Sequence, residues 1–391
     1  MMNQSPANLL VNDVIAAMRT VTGNRNTALH EPEFSGNEWK YTKECLDSGF
    51  VSSVGTFVNK FENDLANYTQ SKHAIVVNNG TSALHIALML AGVESGHEVL
   101  VPALTFVATA NAVIYCGATP HFVDSEEESL GIDPVKLREY LKEKTEITGG
   151  VCFNKKTKRV IRALVPMHTF GHPSKINELL QICSEYSLVM VEDAAESIGS
   201  TYEGRHTGTF GLLGTISFNG NKTITTGGGG AILTNNDQLA KHAKHITTTA
   251  RVPHRWSFVH DEIGFNYRMP NINAAIGCAQ LENIENIIVK KRALQQRYVK
   301  AFESIPEVTV QGESIGSRSN FWLNAIKFGN NSEHFISSLL EQGNSEGLGL
   351  RPPWTLINKM TPYANCESME TNTASRIVET FVNIPSGPGL V

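Results

Sequence analysis

The sequence predicts an α/β fold: a large domain on a mostly parallel sheet, followed by a smaller α+β C-terminal domain. Three observations predict it. From His73 onward, short apolar runs alternate with helix-patterned segments, the order that lays parallel strands under crossover helices. The runs are apolar almost throughout, as in Val189-Met190-Val191, which suits strands covered on both faces. After about Pro253 the alternation gives way to helix formers and then to weaker mixed signals.

The elements follow in order. The first fifty or so residues precede the sheet and are expected to pack near the C-terminal domain. His73–Val77 reads as a strand and Thr81–Gly92 as a helix with glycine at its C-terminal end. Glu98–Pro102 is the second strand, Phe106–Cys116 the second helix, and His121–Asp124 the third strand, with a helix around Pro134–Tyr140. Ile161–Met167 and Leu188–Glu192 are further strands, with a helix over Ile176–Tyr186 between them. Thr215–Phe218 and Gly230–Thr234 close the sheet. Ile272–Phe302 is one long helix or two. The expected domains are therefore 1–255 and 256–391.

Composition bounds the function. The 391 residues carry 41% hydrophobic and 18% charged side chains and a net charge of −5. That is a globular balance with no general attraction to nucleic acid or acidic membranes. The six cysteines are scattered without a Cys-x-x-Cys pair, as in reduced cytoplasmic proteins. Residues 1–22 lack a continuous apolar core, and no stretch is long enough to span a bilayer. The expectation is a cytoplasmic protein with no membrane or nucleic-acid partner and no metal.

Ligands of such sheets bind where the strands end, and the polar candidates fall there. Asn78-Asn79-Gly80-Thr81-Ser82 turns into a helix. Free amides at that helix start, with Thr81 and Ser82 hydroxyls and room at Gly80, suit a phosphate; the same residues also suit a plain helix cap. The Gly-Lys-Ser/Thr ending of an ATP loop and the Gly-x-Gly-x-x-Gly of dinucleotide folds are absent. Phe106 can cover an aromatic ring or be ordinary core. Asp193 ends an apolar strand, where a carboxylate needs a cationic partner or serves as a helix cap. Glu196, three residues on, can reach a ligand or a lysine, or complete a capping box. Lys222 sits in Ser217-Phe218-Asn219-Gly220-Asn221-Lys222, just before Gly227–Gly230. Lysine plus an upstream strand-end aspartate is the pairing that pyridoxal 5'-phosphate (PLP) chemistry needs. The lysine forms a Schiff base with the aldehyde, and the aspartate keeps the pyridine nitrogen protonated. Ser217 can donate to the phosphate.

Taken together, these motifs and Gly264-Phe265-Asn266-Tyr267-Arg268-Met269 make the chain similar to the DegT/DnrJ/EryC1/StrS family of PLP-dependent nucleotide-sugar aminotransferases. The resemblance runs from about Gly49 to Pro388. It implies PLP fold type I, the aspartate aminotransferase fold. It also implies that Lys222 is the covalent lysine and proton shuttle, Asp193 the partner of the pyridine nitrogen, and Phe106 the stacking ring. Thr81, Ser82 and Ser217 then hold the phosphate, with Glu196 near the ring oxygen, a position often glutamine or histidine in the family. Asn266 reaches the cofactor phosphate of a second copy and Arg268 its active site, so the resemblance implies a homodimer with shared sites. Dehydratase relatives replace the lysine by histidine; Lys222 favours transamination from L-glutamate.

Finer likeness lies in Thr247–His254, His260–Gly264 and Arg351-Pro352-Pro353-Trp354. These resemble the subgroup acting on UDP- or GDP-linked 4-keto-6-deoxy-2-acetamido hexoses, on routes to bacillosamine or legionaminic acid. Arg251, Arg351 and Trp354 are then nucleotide or sugar contacts; packing or a solvated face is the alternative for each. Rival functions are a PLP-dependent dehydratase, lyase or desulfurase, a binding protein without catalysis, and a nicotinamide-dependent oxidoreductase.

Overall fold

The computed structural model of the protein describes residues 6–329 and 333–391. Residues 1–5 of the polar N-terminal stretch lie outside it.

In chain order, helices α1 (Pro6–Thr22), α2 (Glu38–Ser48) and α3 (Thr56–Thr69) precede strand β1 (His73–Val77) and α4 (Gly80–Leu90). β2 (Glu98–Pro102), α5 (Val107–Tyr115), β3 (Thr119–Val123) and α6 (Pro134–Lys144) continue the alternation. A hairpin of β4 (Thr145–Thr148) and β5 (Val151–Asn154) leads to β6 (Ile161–Leu164), α7 (Ile176–Glu185) and β7 (Val189–Asp193). A second hairpin, β8 (Thr201–Tyr202) and β9 (Arg205–His206), comes before β10 (Leu213–Ser217), β11 (Gly230–Thr234) and α8 (Asp237–Thr247). The helix-rich stretch resolves into two helices, α9 (Asn271–Glu282) and α10 (Ile284–Phe302). The remainder holds β12 (Val308–Val310), β13 (Ser317–Arg318), β14 (Asn324–Phe328), α11 (Glu333–Ser345), α12 (Asn372–Thr380) and β15 (Phe381–Ile384).

The large sheet has the order β1-β11-β10-β7-β6-β2-β3. The expected mostly parallel sheet is present, with one exception: β11 pairs antiparallel with both β1 and β10. Successive strand residues serve opposite faces. Ile75 and Val77 join the cluster under α4, α5 and α8, whereas Ala74 and Val76 join the cluster under α3 and α9. The continuous apolar runs therefore reflect two covered faces.

Helix starts follow local chemistry. Asn79 caps α4 by accepting from the Ser82 amide at 2.7 Å, and Asp133 caps α6 ahead of Pro134.

The small antiparallel sheet β12-β14-β15 shares a cluster with α1, α11 and the second half of α10. Ile284, Ile287 and Ile288, in the first half of α10, pack with α9 against the large sheet. The apolar clusters thus run across residue 255, and α10 connects them. No described helix is long and apolar enough to cross a membrane.

Candidate active site

Where the parallel strands end, a cavity of about 520 Å³ opens. Its floor is Asp193, the last residue of β7 and only 2% exposed. Thr109 of α5 donates its hydroxyl to Asp193 Oδ2 at 2.8 Å, and the Ala195 amide donates to Oδ1 at 3.2 Å. Burial pushes the Asp193 carboxyl above its ordinary range, with those donors and the charge of Lys222 pulling the other way. Among the described residues no cation forms an ion pair with it. The neighbouring Glu192 points to the opposite face, as strand alternation requires. There it accepts from the amides of Gly208, Phe210 and Gly211 and pairs with His168.

Lys222 follows β10 in a turn whose amide donates to Asn219 O at 3.0 Å. Its Nζ lies 3.1 Å from Glu196 Oε1 and 4.0 Å from the centre of the Trp322 ring, a cation held against an aromatic face. Trp322 is fixed by its own indole N–H, which donates to Asn221 O at 2.7 Å. Glu196 Oε2 accepts from the Phe170 amide at 2.9 Å. Phe170 has φ 56, the left-handed region that a bulky side chain adopts at a cost. Burial raises the Glu196 carboxyl to about 7, against the opposing charge and hydrogen bond of Lys222.

One edge of the cavity is the start of α4. The Gly80 and Thr81 amides lead the helix, where no intrahelical carbonyl reaches them, and both residues line the cavity with Ser217. A Cβ on Gly80 would lie 2.9 Å from Ser217 Cβ, and one on Gly230 would lie 2.6 Å from the Asn79 carbonyl. Glycine is what lets β10, β11 and the helix start approach this closely. Phe106, at the cap of α5 and 49% exposed, flanks the opening 6.3 Å from Trp354, which in turn packs on Phe170 at 5.0 Å.

The structure thus brings Gly80, Thr81, Phe106, Asp193, Glu196, Ser217, Lys222, Arg351 and Trp354 to one cavity. Ser82 is buried beside it, its amide spent on the Asn79 cap. Three other candidates lie elsewhere. Arg268 donates to Glu62 at 2.7 Å and to Val76 O at 3.0 Å. Asn266 is exposed and bridges Thr248. The Arg251 guanidinium sits 3.9 Å over Phe258. Sequence reasoning missed Thr109, Phe170, Trp322, His30 and Asn383. Thr109 had a usable signal, one helical turn after Thr105 at a strand end; the others come from segments without a motif.

The donor set fits PLP. A buried carboxylate without a cation awaits a protonated ring nitrogen at the floor, helix amides and hydroxyls suit a phosphate at the edge, and a lysine stands between them.

Comparison with known proteins agrees. The model of the DegT/DnrJ/EryC1/StrS aminotransferase family matches residues 32–391. A GDP-perosamine synthase of Caulobacter vibrioides is 36% identical over 362 residues, 92% of each chain. A solved DegT DnrJ EryC1 StrS aminotransferase from Brucella abortus superposes with a TM-score of 0.80 at 27% identity, over 90% of each chain. The PLP form of a Streptococcus pneumoniae protein, 21% identical, matches in fold with a TM-score of 0.82 over 93% of this chain and 94% of its own.

Proposed function

The chain is a PLP-dependent enzyme of the DegT/DnrJ/EryC1/StrS aminotransferase family, and on that premise we propose that it moves an amino group from L-glutamate to the C4 ketone of a nucleotide-linked hexose. The observation that carries the reading is Lys222 Nζ, 3.1 Å from a Glu196 whose carboxyl is raised to about 7, in a cavity floored by Asp193.

When bound, PLP supplies the carbon that holds the migrating nitrogen and the ring that stores the electron pair released at glutamate Cα. The chain's residues do the rest. The Asp193 carboxylate, already desolvated and held by Thr109, offers its charge to the ring nitrogen. Thr81, Ser217 and the α4 amides bind the phosphate, and Phe106 covers the ring. Lys222 Nζ would take the proton from glutamate Cα and hold it for return within the site. In the second half it runs the path backward, placing a proton on the sugar's C4. Glu196 can give up or accept a proton near neutral pH and lies within hydrogen-bond reach of Lys222 Nζ, so it can exchange protons with the lysine. One water supplies the new carbonyl oxygen of 2-oxoglutarate, and the ketone oxygen of the sugar departs as water.

The GDP-perosamine synthases among the relatives make a GDP-linked sugar the first acceptor to try. The segments 247–254, 260–264 and 351–354 support a 2-acetamido-6-deoxy sugar on UDP or GDP. Asn266 and Arg268, outside this chain's own cavity, are assigned to the site of a second copy in a homodimer, and Arg251 to the nucleotide.

The test is the absorbance spectrum of the PLP-loaded protein with L-glutamate. The visible cofactor band should fade as a near-ultraviolet band grows, and a keto-sugar nucleotide should restore it. Lys222→Ala should slow both conversions by at least ~10³-fold. A Lys222→Ala protein that converts at the normal rate would sink the reading.

A further inference from the structure

The cavity has a second wall that the mechanism does not use. It is built from Leu29 and His30, from Arg351, Pro352 and Trp354, and from Leu323 and Asn383. The N-terminal segment is pinned there: Thr27 bridges Leu348, and Leu29 O accepts from the Ser386 amide at 2.7 Å. Lys291, fully buried, donates to Trp322 O at 3.1 Å and Ser386 O at 2.7 Å and ties the same layer together.

Two side chains in this wall are buried without partners among the described residues. His30 is 8% exposed, yet neither ring nitrogen makes a hydrogen bond; Asn383 is 3% exposed, and its Oδ1 is equally unpaired. Native interiors rarely leave such atoms orphaned, and these, unlike most others in the described residues, belong to side chains that line a cavity where a ligand can supply the partner. Both residues line the cavity. Burial, with the positive charges of Lys291 and Lys222, holds His30 well below its ordinary pKa, so the ring is neutral. A neutral imidazole presents one donor and one acceptor, and an amide presents both as well. That pair suits uncharged hydroxyl and amide groups. It does not suit a carboxylate, for which Arg351 is the cation on the same wall.

We propose that His30, together with Asn383, hydrogen-bonds the uncharged ring substituents of the acceptor sugar and selects which sugar is aminated, while leaving glutamate recognition to other residues. The assignment rests on the aminotransferase reading above and adds specificity-determining residues to it. A site that hydrogen-bonds a substrate group discriminates strongly against analogues lacking it, because its own polar atoms are then stranded.

The experiment uses the full-length PLP-loaded protein and two variants, His30→Phe and Asn383→Leu, with His30→Gln as the conservative change. Calorimetry measures binding of GDP- and UDP-linked 4-amino-4,6-dideoxyhexoses, with and without a 2-acetamido group, and of GDP and UDP alone. Absorbance follows the glutamate half-reaction. At least one amino-sugar nucleotide should bind the wild type more tightly than its bare nucleotide. His30→Phe and Asn383→Leu should each reduce that advantage by about ten- to a hundredfold. Bare-nucleotide affinity and the glutamate rate should stay within about twofold, and His30→Gln should recover much of the loss. The proposal is overturned if the advantage survives both variants. It is equally overturned if bare nucleotide or glutamate suffers by the same factor, or if no sugar binds better than its nucleotide. Failure of the aminotransferase reading itself shows separately, as a wild-type spectrum that glutamate does not change.

Discussion

The two walls of the cavity are built on different principles. On the large-sheet side the key polar groups already have partners: Asp193 with Thr109 and Ala195, Glu196 with Lys222 and Phe170, and Asn79 with the Ser82 amide. On the opposite side His30 and Asn383 hold buried atoms with none among the described residues. Side chains held by one another are preorganised for one ligand and need no reorganisation during reaction, even where the helix amides beside them still await it. A wall with unmet hydrogen-bonding capacity is completed by its ligand. The contrast separates a cofactor side, common to both half-reactions, from a side whose His30 and Asn383 matter in the acceptor half.

Asp193→Asn is the largest expected break in that contrast. The amide keeps the shape but removes the charge meant for the ring nitrogen, so both half-reactions should slow by on the order of 10²- to 10⁴-fold in stopped-flow absorbance. A loss confined to the sugar half would mean that the two sides are not functionally distinct.

Glu196→Gln tests the charge stored on the cofactor side. The carboxyl stands at about 7 in the fold against 4.5 ordinarily, so the folded state holds the proton more tightly. That contribution to stability is complete below about pH 4.5 and is lost as pH rises through about 7. Relative to the variant, the cofactor-free wild type should lose roughly 3 kcal/mol between those values, read as a difference in Tm profiles. Parallel profiles would remove the coupling between Glu196 and the fold.

Gly230→Ala probes geometry rather than charge. Its methyl would meet the Asn79 carbonyl and the Gly80 amide at 2.6–2.7 Å, both backbone and unable to swing aside. A loss of about 1–3 kcal/mol in denaturant unfolding is expected, with weaker PLP binding. Phe106→Ala should have the smallest effect on the fold, less than about 1 kcal/mol, because the ring is half-exposed. Its PLP affinity, measured by fluorescence titration, should still fall about tenfold if the ring stacks.

Much of the fold was legible from pattern. β1, β2 and β11 begin and end where apolar runs meet turn residues, and the ends of α4 differ from expectation by one or two positions. The strand after α7 extends one residue further, to Asp193, and β10 starts two residues earlier, at Leu213; strand pairing extends an element beyond its apolar centre. The grouping of α9 with the large sheet was not legible, since a helical pattern shows which face is apolar but not what it will meet. The site divides the same way. Gly80, Asp193 and Lys222 sit in motifs at strand ends and could be picked out singly. Arg268 and Arg351 look alike in sequence, but one is tied to Glu62 inside the fold and the other faces the cavity.

The order of strands and helices, the two-faced burial of the sheet and the positions of Asp193 at the end of β7 and Lys222 in the turn after β10 were determined by the sequence itself, because turn chemistry and residue periodicity are local. Only the tertiary structure decided that β11 lies antiparallel between β1 and β10, and that His30 and Asn383, from opposite ends of the chain, share a wall. Whether a buried polar atom has a partner depends on segments far apart in sequence coming within about 3 Å, and no local pattern carries that information.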